Sequence, residues 1–120
     1  VPEELKQAIR QAKNNIEIFH ASQRFTGKKV ETTPGVTCWQ KAVAIEKVGL
    51  YIPGGTAPLF STVLMLAVPA RIAGCKEIVL CTPPSRDGKV HPAILFAAET
   101  AGVSKKFRYG FGERGLYWIS

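Results

Sequence analysis

The chain has 120 residues, 46% of them apolar and 21% charged, with a net charge of +7. That size fits one ordinary domain, and that balance belongs to a globular protein. The longest uncharged stretch, residues 48–70, is broken by Pro53, Gly54, Gly55, Pro58 and Pro69, so it lacks the run of ~20 apolar residues that a membrane span needs.

Leu5, Ile9, Ala12, Ile16 and Phe19 recur at spacings of three and four, which predicts an amphipathic helix over residues 2–22 with Glu3 and Glu4 in its first turn. The opening VPEELKQAIR is acidic and amphipathic where a secretory signal is basic and then apolar, so a cytoplasmic location is expected. Residues 27–35 are polar and turn-rich. TCWQKAVAI, residues 37–45, alternates as a lone strand would, with Trp39, Val43 and Ile45 on one face.

Residues 48–52 form a short continuous apolar run, the pattern of a strand buried on both faces, and the run ends in PGG, where such strands feed a crossover helix. That helix is expected over 58–73, with Gly74 as a left-handed stop and Pro69 either kinking it or removing one hydrogen bond. Residues 76–81 read as the next buried strand and 82–90 as a surface loop. Pro92 suits a first helical position, Gly102 stops that helix, and 103–109 reads as a third strand. The predicted fold class is α/β: a partial Rossmann-like open parallel sheet (β-α-β-α-β) behind a long helix and a lone strand. The chain divides into 1–47, an incomplete nucleotide-binding portion at 48–108, and an atypical tail at 109–120.

Three cysteines, Cys38, Cys75 and Cys81, form no CxxC pair and read as buried, reduced thiols. His20 and His91 lack a second ligand at metal-site spacing and read as surface or capping residues. Glu31, Glu46, Glu77, Asp87, Glu99 and Glu113 form no close pair for acid and base roles. PGGTAP sits where open parallel sheets bind ligands, Gly54 and Gly55 clearing the backbone and Thr56, Ser61 and Thr62 offering hydroxyls, although a strand-to-helix turn needs glycine merely to turn. GFGERG at 110–115 formally matches a dinucleotide fingerprint, but only LYWIS follows it, too short for the required helix. Arg24, Lys28 and Lys29 cluster, as do Lys105, Lys106, Arg108 and Arg114. The alternative they suggest is a small basic nucleic-acid-binding module without catalysis, disfavoured because the other cations are scattered.

The run VGLYIPGGTAPLFSTVLMLAVPARIAGCKEIVLCTPP, with ELKQAIRQAKNNIEIFH and ETTPGVTCWQ before it, closely resembles the histidinol dehydrogenases from residue 3 to about 108. The resemblance implies a homodimeric oxidoreductase of histidine biosynthesis that takes L-histidinol to L-histidine in two NAD-dependent steps through an aldehyde, with one zinc ion per subunit. In that family zinc positions the amino alcohol, a glutamate and histidine pair handles proton and water, and NAD accepts hydride. Carried onto this chain, Tyr51 is the NAD contact, Pro53, Gly54 and Gly55 shape the loop beside it, and Ser61 is a substrate-pocket residue. Glu113 falls near the glutamine of the family's GGAQAI stretch, where this chain departs from the pattern and a carboxylate would repel a pyrophosphate. The zinc ligands and the acid–base pair belong to segments outside this chain. No catalytic or metal residue is therefore expected here, nor tight binding of NAD or zinc, nor activity from the chain alone.

Overall fold

Ile9 lies fully buried on α1 (Glu3–Ser22), flanked by the half-buried Leu5, Ala12 and Ile16 at helical spacing. The computed structural model describes residues 1–55, 57–109 and 116–119. Glu3 and Glu4 stand at the positive end of the helix dipole, and Lys13 pairs with Glu17 one turn along. At 20 residues the helix is ~30 Å long and outruns the layer beneath it, so Ile18 and Phe19 are 72% and 60% exposed. Phe19 thus leaves the apolar stripe that its spacing assigns it to.

The expected lone strand over 37–45 is instead an antiparallel hairpin, β1 (Val30–Thr33) with β2 (Val36–Cys38). Gly35 makes its turn at a φ of 86° and its N–H donates to the Glu31 carboxylate at 3.2 Å. Trp39, Val43 and Ile45 alternate without forming a strand, and all three are exposed, because alternation fixes a strand only where one face has a layer to pack on. Every residue from 21 to 47 is exposed. The molecule measures 66 × 38 × 22 Å with a radius of gyration of 18.2 Å, against ~14 Å for a compact domain of this length.

The remaining elements are β3 (Lys47–Tyr51), α2 (Phe60–Ile72), β4 (Glu77–Thr82), α3 (Pro92–Thr100), β5 (Lys105–Tyr109) and β6 (Leu116–Ile119). The sheet order is β3-β4-β5-β6; β3, β4 and β5 run parallel, as expected, and β6 is antiparallel to β5. The tail read as atypical is in part this edge strand. Both crossover helices end in the same way. Gly74 and Gly102 take φ of 91° and 79°, Cys75 N–H reaches back to Ala70 O at 3.1 Å, and Val103 N–H to Ala98 O at 2.9 Å. Each is a Schellman stop that only a residue without a Cβ forms cheaply. Pro69 leaves α2 unbroken; it has no N–H to return to Met65 O, and Met65 is a half-exposed residue whose carbonyl water can serve.

The three helices lie on one face of the sheet. Val63, Leu64, Ala67 and Val68 of α2 and Ala93, Ile94, Ala97 and Ala98 of α3 meet Ile9, Ile52, Ile78 and Leu80 in one buried cluster. Along β4, Ile78, Leu80 and Thr82 are buried while Glu77, Val79 and Cys81 are only half-buried; along β3, Gly49 and Tyr51 are exposed. Among the described residues the strands are therefore covered on one face, not two as their apolar runs predict, because none of the described helices reaches the other side. The reading of all three thiols as buried is corrected as well: Cys38, on the exposed hairpin, is exposed, and Cys75 and Cys81 are half-buried.

Leu64→Ala should remove about 2–5 kcal/mol of stability by opening a void between α2 and the sheet, whereas Val43→Ala, 75% exposed on the arm, should stay within about 0.5 kcal/mol. Urea unfolding of the two variants checks the contrast.

Candidate functional site

Because β3 and β4 are parallel, they end side by side, at Tyr51 and Thr82, and the starts of α2 and α3 lie just beyond. Ile52 N–H continues the pairing past Tyr51 by donating to Cys81 O at 2.9 Å. The Thr82 hydroxyl, 4% exposed, donates to Ile52 O at 2.9 Å. A crevice of about 110 Å³ opens over this clamp, with Pro53, Gly54 and Gly55 on one side, Thr82, Pro83 and Ser85 on the other, and Val90, His91 and Ile94 closing it. Pockets for whole small molecules run to ~300–1,000 Å³, so the crevice holds part of a ligand and forms one wall of a larger site.

The two glycines of PGG are not equivalent. A Cβ on Gly54 would lie 2.7 Å from Pro83 Cγ, so packing between the two strand-end loops requires its absence. A Cβ on Gly55 would meet nothing within 4 Å, and neither glycine has a positive φ. Neither a positive φ nor packing among the described residues explains Gly55. Its bare backbone is available to something that approaches from outside.

The helix starts at the crevice also differ. No side chain caps α2. Thr62 and Val63 donate to Leu59 O at 3.1 and 3.4 Å, while Phe60 and Ser61 N–H have no partner among the described residues. These N–H groups and the helix dipole make that end attractive to an anion, and the exposed Ser61 stands within it. α3 is closed by His91, which accepts from Ala93 N–H through Nδ1 at 3.1 Å. The capping role read for His91 is the one observed.

Tyr51 stands apart from the PGG turn. It is 53% exposed, on the bare face of the sheet beside Cys81, and it does not line the crevice. Pro53, Gly54 and Gly55 come together; Ser61 sits at the adjoining helix start; Glu113 lies outside the described residues. Sequence reasoning missed Thr82, Ser85 and His91 as crevice residues. Their signal was the position of TPPS directly after an apolar run, which places a second strand end beside the first.

A larger cavity, about 600 Å³, lies at the other end of α2, between the end of α1 and residues 42–45. Its floor is apolar (Val43, Ile45, Ile72) and its polar rim is His20, Gln23 and Arg24, with His20 Nδ1 and Gln23 Oε1 3.0 Å apart. It lies roughly 20 Å, the length of α2, from the strand ends, and it gathers no reactive set. Among the described residues no three His, Cys, Asp or Glu side chains group to hold a metal ion, and no helix is long and apolar enough to cross a membrane.

The family model described as histidinol dehydrogenase matches residues 1–113. The chain belongs to the histidinol dehydrogenase family. The match extends past residue 108, where the resemblance to the family was read as ending. The chain is 80% identical over 110 residues to the histidinol dehydrogenase of Bacteroides fragilis (strain YCH46), covering 92% of this chain and 26% of that one. Over the same shares it is 54% identical to the histidinol dehydrogenase of Xylella fastidiosa (strain 9a5c). A crystal structure of histidinol dehydrogenase from Elizabethkingia anophelis matches with a TM-score of 0.84 at 56% identity, over 90% of this chain and 25% of that one. The chain thus spans about a quarter of the length of these histidinol dehydrogenases.

Gly54→Ala should cost about 1–3 kcal/mol, since Pro83 must shift, while Gly55→Ala should leave stability unchanged or raise it by up to about 1 kcal/mol. Thermal melts of both variants separate the structural glycine from the other.

Proposed function

We propose that this chain supplies part of the NAD-binding portion of an enzyme that oxidises L-histidinol to L-histidine in two steps through an aldehyde, closing histidine biosynthesis. The observation that carries the reading is the open start of α2 beside Gly55, at the carboxyl ends of two parallel strands. Those residues fit a dinucleotide: Phe60 and Ser61 N–H can hold a pyrophosphate, Gly55 admits it against the backbone, and Pro53 and Gly54 fix the turn. NAD, when bound, accepts hydride. Tyr51, on the bare sheet face one residue before Ile52, offers a ring to pack on the cofactor, and the Ser61 hydroxyl points the reading toward the substrate side.

The parallel order β3-β4-β5 with α2 and α3 as crossovers supports reading 48–108 as a partial Rossmann-like unit, preceded by 1–47 and followed by the tail at 109–120. For zinc the described residues assemble no ligand set. Homodimer formation and a cytoplasmic location follow from the family reading. Inactivity of the chain alone is part of this reading, supported by the lack of an acid–base pair among the described residues lining the crevice. The exposed arm bearing Arg24, Lys28 and Lys29 favours one second reading, nucleic-acid binding, although Lys29 Nζ already sits 5.0 Å from the Trp39 ring centre.

Mixing the 120-residue chain with L-histidinol, NAD and zinc should give no rise in NADH absorbance, and steady turnover would refute the inactivity. Changing the tyrosine that corresponds to Tyr51 in the full-length Bacteroides fragilis enzyme to Ala should raise KM for NAD about tenfold, ~1.4 kcal/mol. An unchanged NAD dependence would remove Tyr51 from the site. Nucleic-acid binding predicts affinity that collapses between low and moderate salt, so no binding even at low salt dismisses it.

A further inference from the structure

One residue satisfies the whole N-terminus of α3. Pro92 has no N–H to satisfy, Ala93 donates to His91 Nδ1 at 3.1 Å, and Ile94 and Leu95 donate to the His91 carbonyl at 3.0 and 3.3 Å. A ring nitrogen accepts only while it carries no proton, so this cap fixes His91 as the neutral tautomer protonated at Nε2. A proton on Nδ1 turns the acceptor into a donor aimed at another donor. It also sets a positive charge at the helix end where cations are unfavourable. Among capping side chains, imidazole alone undergoes this change close to neutral pH.

Among the described residues that line the crevice, none carries a charge to offset it. The PGG turn and the start of α2 face His91 across the crevice with no ionisable side chain among the described residues, and the first turn of α3 has none. The adjoining loop carries Arg86, Asp87 and Lys89, none of which lines the crevice; Asp87 Oδ1 already accepts from Lys89 N–H at 3.0 Å. From α1, Lys6 and Arg10 meet α3 at Phe96, a turn further on.

We propose that His91 is a proton-sensitive latch on the crevice. With the ring neutral, the first turn of α3 is closed and the wall formed by Val90, His91 and Ile94 is held. When the ring takes its second proton, Ala93 N–H is released and that wall loosens. The cap's contribution is present while Nδ1 carries no proton and is lost when it takes one. The latch stands on the His91 geometry and does not depend on what the crevice binds.

NMR of the labelled 120-residue chain from about pH 8 to 5 tests it, with ring ¹⁵N shifts reporting the tautomer and Cα shifts of Ala93, Ile94 and Leu95 reporting the turn. The expected result is the Nε2–H tautomer at the upper end. Helical shifts at 93–95 should then fall with the His91 ring titration, by about a fivefold change in the closed-to-open ratio. His20, paired with Gln23 at the end of α1, serves as the internal control. His91→Asn, whose side-chain oxygen accepts at every pH, should keep the turn throughout. An Nδ1–H tautomer, helical shifts that persist through the ring titration, or the same acid loss in His91→Asn would overturn the proposal. Should that variant fail to fold, the tautomer and the shifts of the parent chain decide alone.

Discussion

The Thr82 hydroxyl, buried and donating to Ile52 O, ties the end of β4 to the residue after β3. A buried hydroxyl left without a partner costs about 1–3 kcal/mol, so this bond strongly favours the arrangement in which the two strands stop together. The crevice is what lies beyond that shared stop. Pro83 then comes close enough to Gly54 to exclude a side chain, and both helix starts are brought to one rim. Had the strands ended out of step, the PGG turn and the TPPS loop would not face one another.

On the other side of the balance stands the uncovered sheet. Burial of Ile78 and Leu80 against α2 and α3 anchors one face, but Gly49, Tyr51, Val79 and Cys81 present a partly apolar face that no described helix covers. Open parallel sheets in α/β proteins are normally covered on both faces. The chain spans about a quarter of the relatives it matches, and its strands carry the composition of two-sided burial.

Local signals in the sequence translated faithfully, and tertiary ones did not. Pro92, Gly74 and Gly102 mark helix ends through bonds within a few residues, so they read correctly without knowledge of neighbours. Parallel pairing of β3, β4 and β5 also followed, because short crossovers leave few other topologies. Phe19, Trp39, Val43 and Ile45 misled for one reason: periodicity records that a face is apolar and says nothing about whether a layer lies beneath it. At the site, PGG was legible as a turn at a strand end. The distinction between Gly54 and Gly55 was not, since it rests on Pro83, which is 29 residues away from Gly54 in the chain. The separation of Tyr51 from the crevice was likewise invisible, because it depends on which way a five-residue strand faces.

The paired Schellman stops have a metrical consequence. β4 begins at Glu77, three positions after Gly74, and β5 at Lys105, three positions after Gly102. Each return to the sheet therefore uses the same length of chain after the same backbone reversal, with β5 entering two residues further along than β4, Lys105 opposite Val79. The glycines thus act as a ruler at the bottom of the sheet: the length of each return is measured out by two residues that never touch the crevice.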